Sequence, residues 1–169
     1  MPHRPRQQPL GNDLHRLRCY DPSTLQLKES VALSGYPYYS YLHNNELWIT
    51  GNHTLSIFDT RTHSFKPLPQ PIAHNTTLCN ADIDYIHPYG NNGLLLNTAR
   101  HGMFYYNPGT GSVTRQDENG FPFEMPRFRI SRMFTDSQQN LWIAPWTRGT
   151  PCATTTRSGS TTTTTCAPS

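Results

Sequence analysis

This chain of 169 residues has little of what several common functions require. Only 15% of its residues are charged, its formal net charge is +3, and its four cysteines form no Cys-x-x-Cys pair. No apolar stretch reaches the length of a membrane span or of a secretory signal. The sequence therefore does not indicate a nucleic-acid-binding surface, a redox cysteine pair or a disulfide framework.

The sequence also lacks any long stretch with the apolar spacing of an amphipathic helix. Aromatic residues make up 11% of the chain, and fifteen prolines and eleven glycines supply many turn formers. Short apolar runs between turn residues are typical of β-strands. The composition therefore predicts an all-β protein with little or no helix.

Three segments repeat loosely but in register. Each has polar residues followed by a short apolar run, and the shared leucines Leu47, Leu94 and Leu141 are 47 residues apart each time. A period of roughly 40 to 50 residues is typical of small stacked β-sheets, because one such sheet cannot bury both of its faces alone. We therefore expect a stack of similar sheets.

A second element keeps the same phase. Short strands end on an aromatic residue, an Asp or Asn, and a turn former, at Asp21-Pro22, Asp59-Thr60 and Asn107-Pro108. The Asp or Asn side chain can cap the following turn, and Pro presets its backbone angle. A further strand follows each turn, so that each unit holds four strands.

The predicted strands give two whole units and two half units. They are Leu14–Tyr20 and Leu25–Lys28; Tyr38–His43, Glu46–Thr50, Leu55–Asp59 and Ser64–Leu68; Ile83–His87, Gly93–Asn97, Met103–Asn107 and Ser112–Gln116; and Ile130–Phe134 and Leu141–Ala144. We predict a disordered segment at residues 1–13, the repeat region at residues 14–149 and a low-complexity Thr-rich tail at residues 150–169.

The Thr-rich tail begins where the third strand of the last unit is due. One interpretation is a flexible low-complexity tail or a glycosylated stalk. A second is a reading frame that slipped near Gly149, because threonine codons read from their third base encode only Tyr, His, Asn or Asp. The shifted frame would permit the strand and turn seen at Leu17–Pro22.

The segment from Phe134 to Ile143, followed by Gly149, resembles the two-component regulator propeller repeat. It has an apolar strand, an Asp-led turn, then Asn-Leu-Trp-Ile and a loop with Gly. Residues 47–51 and 101–108 resemble other parts of the same unit. Ala144-Pro145 stands where the repeat usually has Gly-Thr, and Leu94-Leu95-Leu96 lacks its Trp. The resemblance implies a partial β-propeller, an open arc of four-stranded antiparallel blades.

Such repeats typically form the extracytoplasmic half of hybrid two-component sensors, which recognise oligosaccharides and drive an intracellular histidine kinase. The resemblance implies that this chain is a fragment of the ligand-sensing propeller, with a periplasmic, membrane-anchored and homodimeric parent. No kinase is expected here, because the sequence shows neither a phosphate-cradling glycine loop nor a helical pair for a phosphorylated His. We expect no cofactor. Without a signal peptide, the chain as written would be cytoplasmic or not exported.

Propeller geometry brings the loops between second and third strands to the same face as the loops between units. An aromatic plane stacks on sugar C–H faces, and an Arg fork donates paired hydrogen bonds to hydroxyls or carboxylates. The predicted ligand-binding residues in these loops are Trp146, Arg148, Arg100, His101, His53 and Tyr39. Trp146 is the strongest candidate, and Asn52, Tyr36, Asn75 and Arg127 lie in the same loops.

Other site types and functions have weaker support. The eight histidines show no paired spacing with Cys or carboxylate, so no metal site is predicted. Asp82 and Asp84 point the same way from a strand, but no matching acid or nucleophile is identifiable. A propeller lyase or other glycan-active enzyme would use residues such as His53, His101 and Arg100. A protein-binding scaffold is the third alternative, although the Gly-His and Trp-Asp pairs of such repeats are absent.

Overall fold

The computed structural model describes residues 15–90, 92–125, 130–146, 152–157 and 161–166. Over these residues almost all of the regular secondary structure is β-strand. The strands are β1 Arg16–Tyr20, β2 Leu27–Ala32, β3 Pro37–His43, β4 Glu46–Gly51, β5 Thr54–Asp59, β6 Ser64–Lys66, β7 Ile83–Tyr89, β8 Gly93–Thr98, β9 Gly102–Asn107, β10 Ser112–Arg115, β11 Ile130–Thr135, β12 Leu141–Pro145, β13 Cys152–Arg157 and β14 Thr161–Cys166.

The strands form antiparallel sheets in which neighbouring strands are consecutive in the chain. β1 and β2 form a two-stranded sheet, and the three four-stranded sheets are β3–β6, β7–β10 and β11–β14, called here the first, second and third sheets. The predicted all-β class and the four-strand unit are confirmed. In the first and second sheets, every predicted strand end lies within two residues of the observed one.

The predicted count of two whole and two half units is wrong. The third sheet is complete, because β13 and β14 come from the Thr-rich segment and pair in register from Cys152↔Cys166 to Arg157↔Thr161. Threonine is β-branched and favours strands, which the prediction of a tail left out of account. The described chain therefore has three whole units and one half unit. Residues 1–13 lie outside the described residues.

Two short helices lie in the connection between β6 and β7, and the sequence did not predict them. They are α1 Gln70–Ala73 and α2 Thr76–Cys79. The side chain of Asn75 caps α2 by accepting a hydrogen bond from the Leu78 N–H at 2.9 Å. Ile72 and Leu78 are both fully buried and belong to the core between the first and second sheets, so each helix contributes one side chain to that core.

The second sheet is buried on both of its faces. Leu94 and Leu96 pack with Trp48 and Ile57 of the first sheet. Leu95, which points to the opposite face, packs with Ile143 and other apolar residues of the third sheet. The sheets therefore stack face to face, as the repeat predicts, and the run Leu94-Leu95-Leu96 is apolar without interruption because it has a neighbour on each side.

The repeated Asp or Asn turn has the predicted function at all three sites. The Asp21 carboxylate accepts hydrogen bonds from the N–H groups of Ser23 and Thr24. The Asp59 carboxylate accepts from the next two turn residues at 2.8 and 3.2 Å, and the Asn107 amide oxygen accepts from the Gly109 N–H at 2.9 Å. These bonds fix the turn between the third and fourth strands of each unit.

The turn at Asp59 gives a prediction for stability. Backbone N–H bonds from Arg61 and then Thr62 lower the pKa of Asp59 below its ordinary value. This contribution to stability is present above the unfolded carboxyl pKa of about 3.9 and is lost as the pH falls through the folded value. Asp59→Ala should lower the urea midpoint at pH 7, and Asp59→Asn should lower it less, because an amide oxygen still accepts.

Asp117→Ala is the matched control for that prediction. Asp117 forms an exposed ion pair with Arg115 at 2.6 Å, an interaction that contributes little to stability. The urea midpoint of the Asp117→Ala variant at pH 7 should stay near that of the unchanged chain. An equal loss in the Asp117 and Asp59 variants would contradict the capping role.

Candidate functional site

A polar cavity lies where two loops and one connection meet at the same end of the first and second sheets. It has a volume of about 170 Å³. The loops are those between β4 and β5 and between β8 and β9, and the connection runs from α2 to β7. The lining residues are His53, Asn80, Ala81, Asp82, Arg100 and His101. The structure thus brings together three of the predicted ligand-binding residues, His53, Arg100 and His101.

Tight turns present the cavity residues. His53 has a left-handed backbone with φ of 51°. A side chain at Gly51 would come within 2.6 Å of the Tyr36 carbonyl oxygen, so this turn requires glycine. In the second loop, the Thr98 hydroxyl accepts from the His101 N–H at 2.9 Å and donates to the carbonyl of Gly102 at 2.7 Å. Both turns therefore have defined backbones.

The imidazole of His53 is held on the α2–β7 connection. Its Nδ1 lies 2.8 Å from the carbonyl oxygen of Asn80. Because a carbonyl oxygen only accepts, Nδ1 carries the hydrogen in this contact, and Nε2 is left for other partners. The His53 backbone N–H donates to Asp82 Oδ1 at 3.1 Å, and the ring nitrogen lies 3.6 Å from the same oxygen.

Asp82 connects the two loops across the cavity. Its carboxylate contacts His53 of the first sheet, and its backbone carbonyl accepts from the Ala99 N–H at 2.9 Å in the loop of the second sheet. Asp82 is the one carboxylate among the lining residues. The geometry of the cavity therefore depends on how the first two sheets sit against each other.

Arg100 differs from the other lining residues. It is exposed, and among the residues that the structure describes it has no hydrogen-bond or ion-pair partner. A guanidinium carries a full charge and five N–H donors. The cavity therefore has a charged donor group that is available to a ligand.

The remaining predicted ligand-binding residues do not line this cavity. Trp146 follows β12 and is 62% exposed. Tyr39 lies within β3, with its ring centroid 4.7 Å from that of Tyr85, so it contacts the second sheet. Arg148 and Arg127 lie outside the described residues. Asn75 caps α2, as described above.

The sequence did not predict Asn80 as a site residue, and it indicated Asp82 only as half of a carboxylate pair. The structure separates that pair, since Asp82 precedes β7 and contacts His53, whereas Asp84 lies inside the strand. A signal was present in the sequence. Asp82 ends the connection between two units, and such connections were expected at the same face as the loops that contain His53 and Arg100.

Two other cavities have mainly apolar linings. One of about 200 Å³ lies between the two-stranded sheet and the first sheet, where His63 pairs with Glu29. Another of about 450 Å³ lies beside Leu55, Phe65 and Leu68. Within the described ranges, no group of three or more His, Cys, Asp or Glu side chains is placed to hold a metal ion. Neither helix found there has the length and apolar content to cross a membrane.

Comparisons with known proteins show a likeness of fold. The structure is similar to the crystal structure of the extracellular domain of what is described as a hybrid two component system from B. thetaiotaomicron, with a TM-score of 0.54 and 14% sequence identity. The match covers 87% of this chain and 18% of that chain. This chain shares the fold of part of that extracellular domain.

The likeness is one of structure rather than of sequence. No family model matches the sequence. No curated protein matches it either. The chain spans less than a fifth of the similar structure, because the match covers 18% of that chain. The fold is therefore shared with part of the extracellular domain of that hybrid two component system, and the propeller repeat stays a prediction from the residues.

Proposed function

We propose that this chain is part of the ligand-sensing propeller of a hybrid two-component receptor, and that the cavity of His53, Arg100 and His101 receives its ligand. The fold supports the first part, because 87% of the chain matches part of an extracellular domain of this kind. The convergence of three polar loop residues on one cavity supports the second part. The ligand class that suits loop imidazoles and a guanidinium is a small polar molecule or an oligosaccharide.

The geometry suggests how binding could produce a signal. His53 comes from the first sheet, whereas Arg100 and His101 come from the second. A ligand that contacts both loops binds best to one relative placement of the two sheets, and it stabilises that placement by its difference in affinity between the alternatives. In the parent protein, we propose, the selected placement is passed to a membrane anchor and a kinase beyond this chain.

The test is a titration followed by amide NMR spectra. We expect a panel of mono- and disaccharides to include a ligand that shifts the amides of His53, Ala99, Arg100 and His101. The double change His53→Ala and His101→Ala should reduce affinity at least about tenfold, because each imidazole supplies a hydrogen-bonding group. Trp146→Ala, which leaves the cavity intact, is the control and should bind normally. Shifts centred on Trp146 instead, or no shift with any sugar, would contradict the proposal.

A lyase acting on acidic glycans is the second candidate. The observation that favours it is the position of the His53 ring 3.6 Å from Asp82, in a cavity that also contains Arg100. In such a reaction, a histidine removes a proton beside a carboxylate that a cation neutralises. Release of unsaturated sugar, detected by its ultraviolet absorbance, would favour the enzyme. Saturable binding without product favours the sensor.

A further inference from the structure

We infer that the cavity binds an acidic sugar. The guanidinium of Arg100 donates hydrogen bonds to the sugar carboxylate, and the carboxylate of Asp82 accepts a hydrogen bond from a sugar hydroxyl. This inference rests on the proposed function, because it names the ligand class of the same site. It follows from the charges of the lining residues, from the contacts that they already make, and from a comparison with the other arginines whose side chains the structure describes.

Arg100 is distinct among the arginines whose side chains the structure describes. The others contact protein groups: Arg16 donates to Ser30, Arg61 lies 4.0 Å from Asp59, Arg115 pairs with Asp117, Arg132 lies over the ring of Tyr85, and Arg18 also has a partner. Arg100 has no such contact with a described residue, although it lines a cavity. A guanidinium in this setting is available for the paired hydrogen bonds that it forms with a planar carboxylate.

Besides the positive guanidinium of Arg100, the cavity contains one negative group, the carboxylate of Asp82. Its Oδ1 accepts from the His53 N–H at 3.1 Å, and the His53 ring nitrogen lies 3.6 Å away. Asp82 is therefore engaged with His53 on one side. Its side chain remains 26% exposed, so it can still accept a hydrogen bond from a hydroxyl group.

The two charged groups together favour a particular chemistry. Arg100 favours a carboxylate, and Asp82 repels one but accepts from a hydroxyl. A sugar acid presents both groups on one rigid ring, whereas a neutral sugar lacks the charge and a simple anion lacks the hydroxyls. The cavity of about 170 Å³ holds part of one sugar ring, which leaves the rest of a longer chain in solvent.

The experiment compares three probes that share a ring and differ in charge. The chain is titrated with glucuronate, glucose and glucosamine, and the amides of Ala99, Arg100 and His101 are followed by NMR. We expect glucuronate to bind at least about tenfold more tightly than glucose, because a guanidinium forms charge-assisted hydrogen bonds with a carboxylate, and glucosamine to bind more weakly than glucose. Inorganic sulfate and acetate, which lack the hydroxyls, should bind more weakly than glucuronate.

Arg100→Gln should weaken the binding of glucuronate much more than the binding of glucose, and so remove the preference for glucuronate. Arg61→Gln is the matched control, because Arg61 is also an exposed turn arginine but belongs to the loop between β5 and β6. It should leave all affinities unchanged. Far-ultraviolet circular dichroism checks that both variants fold.

The outcomes separate the inference from the proposed function. The inference is overturned if glucose binds as tightly as glucuronate, or if the Arg100→Gln variant still prefers glucuronate to glucose. The proposed function then remains, with a neutral sugar as the ligand. If acetate or sulfate binds as tightly as glucuronate, the assignment to a sugar is overturned. If no sugar shifts these amides, the inference and the proposed site both fail.

Discussion

Replacing Trp48 with Ala should lower the free energy of unfolding by about 3–5 kcal/mol, the cost expected when a large buried aromatic side chain is removed. Trp48 is 2% exposed and packs in the core between the first and second sheets. Its indole N–H is buried without a hydrogen-bond partner among the described residues, so the loss is one of packing. Urea unfolding followed by circular dichroism measures it without relying on tryptophan fluorescence.

Trp142→Ala is the matched control, because Trp142 occupies the same place in the repeat. It is 41% exposed and points to the opposite face of the third sheet from Leu141 and Ile143, which pack against the second sheet. Its indole N–H donates to Asp136 at 2.8 Å, and loss of that bond should cost about 1 kcal/mol. Similar losses in both variants would mean that the first two sheets do not stack as described.

The second large effect expected is a loss of stability between pH 6.5 and pH 4 that depends on His87. Burial lowers the pKa of His87 from 6.5 to about 4. Between these two pH values the unfolded chain therefore binds a proton at His87 that the folded chain does not bind. The contribution of the neutral His87 to the free energy of unfolding is fully present above pH 6.5 and is lost as the pH falls towards 4. The shift corresponds to about 3 kcal/mol over the whole range.

His87→Gln tests this expectation, because an amide can still contact the Thr135 hydroxyl, which lies 2.8 Å from the His87 ring nitrogen. Urea midpoints are compared at pH 7.5 and pH 5. At pH 7.5 the urea midpoint of the variant should be equal to or lower than that of the unchanged chain. Between pH 7.5 and pH 5 its midpoint should fall much less than that of the unchanged chain. The turn carboxylates of Asp21 and Asp136 do not interfere, because their folded pKa values of about 2 and the unfolded carboxyl pKa of about 3.9 both lie below pH 5. An unchanged pH dependence would show that another group causes it.

The repeat predicted the strands well because its signals are local. Alternation and turn residues placed the strands of the first two sheets within two residues of their ends. The same local reasoning failed at β13 and β14, because a run of threonines has no alternation of apolar and polar residues to read. It also missed α1 and α2, since helices of four residues are too short to show a helical period.

The candidate site was predicted in part for a similar reason. The rule that certain loops share one face selected His53, Arg100 and His101, and the structure places all three on one cavity. The rule could not select partners within that face. The contact between His53 and Asp82 joins residues 29 positions apart in the chain, and the position of Asp82 depends on the path of the α2–β7 connection.

The sequence by itself determined the period, the strand order within each unit and the capped turns, because these depend on neighbouring residues along the chain. Only the tertiary structure decided that Trp48 is buried while Trp142 is partly exposed, and that Arg100 has no protein partner among the described residues whereas Arg115 has one. Burial and pairing depend on which sheet or loop lies opposite a side chain. Equivalent positions in a repeat therefore read alike in sequence and differ in their surroundings.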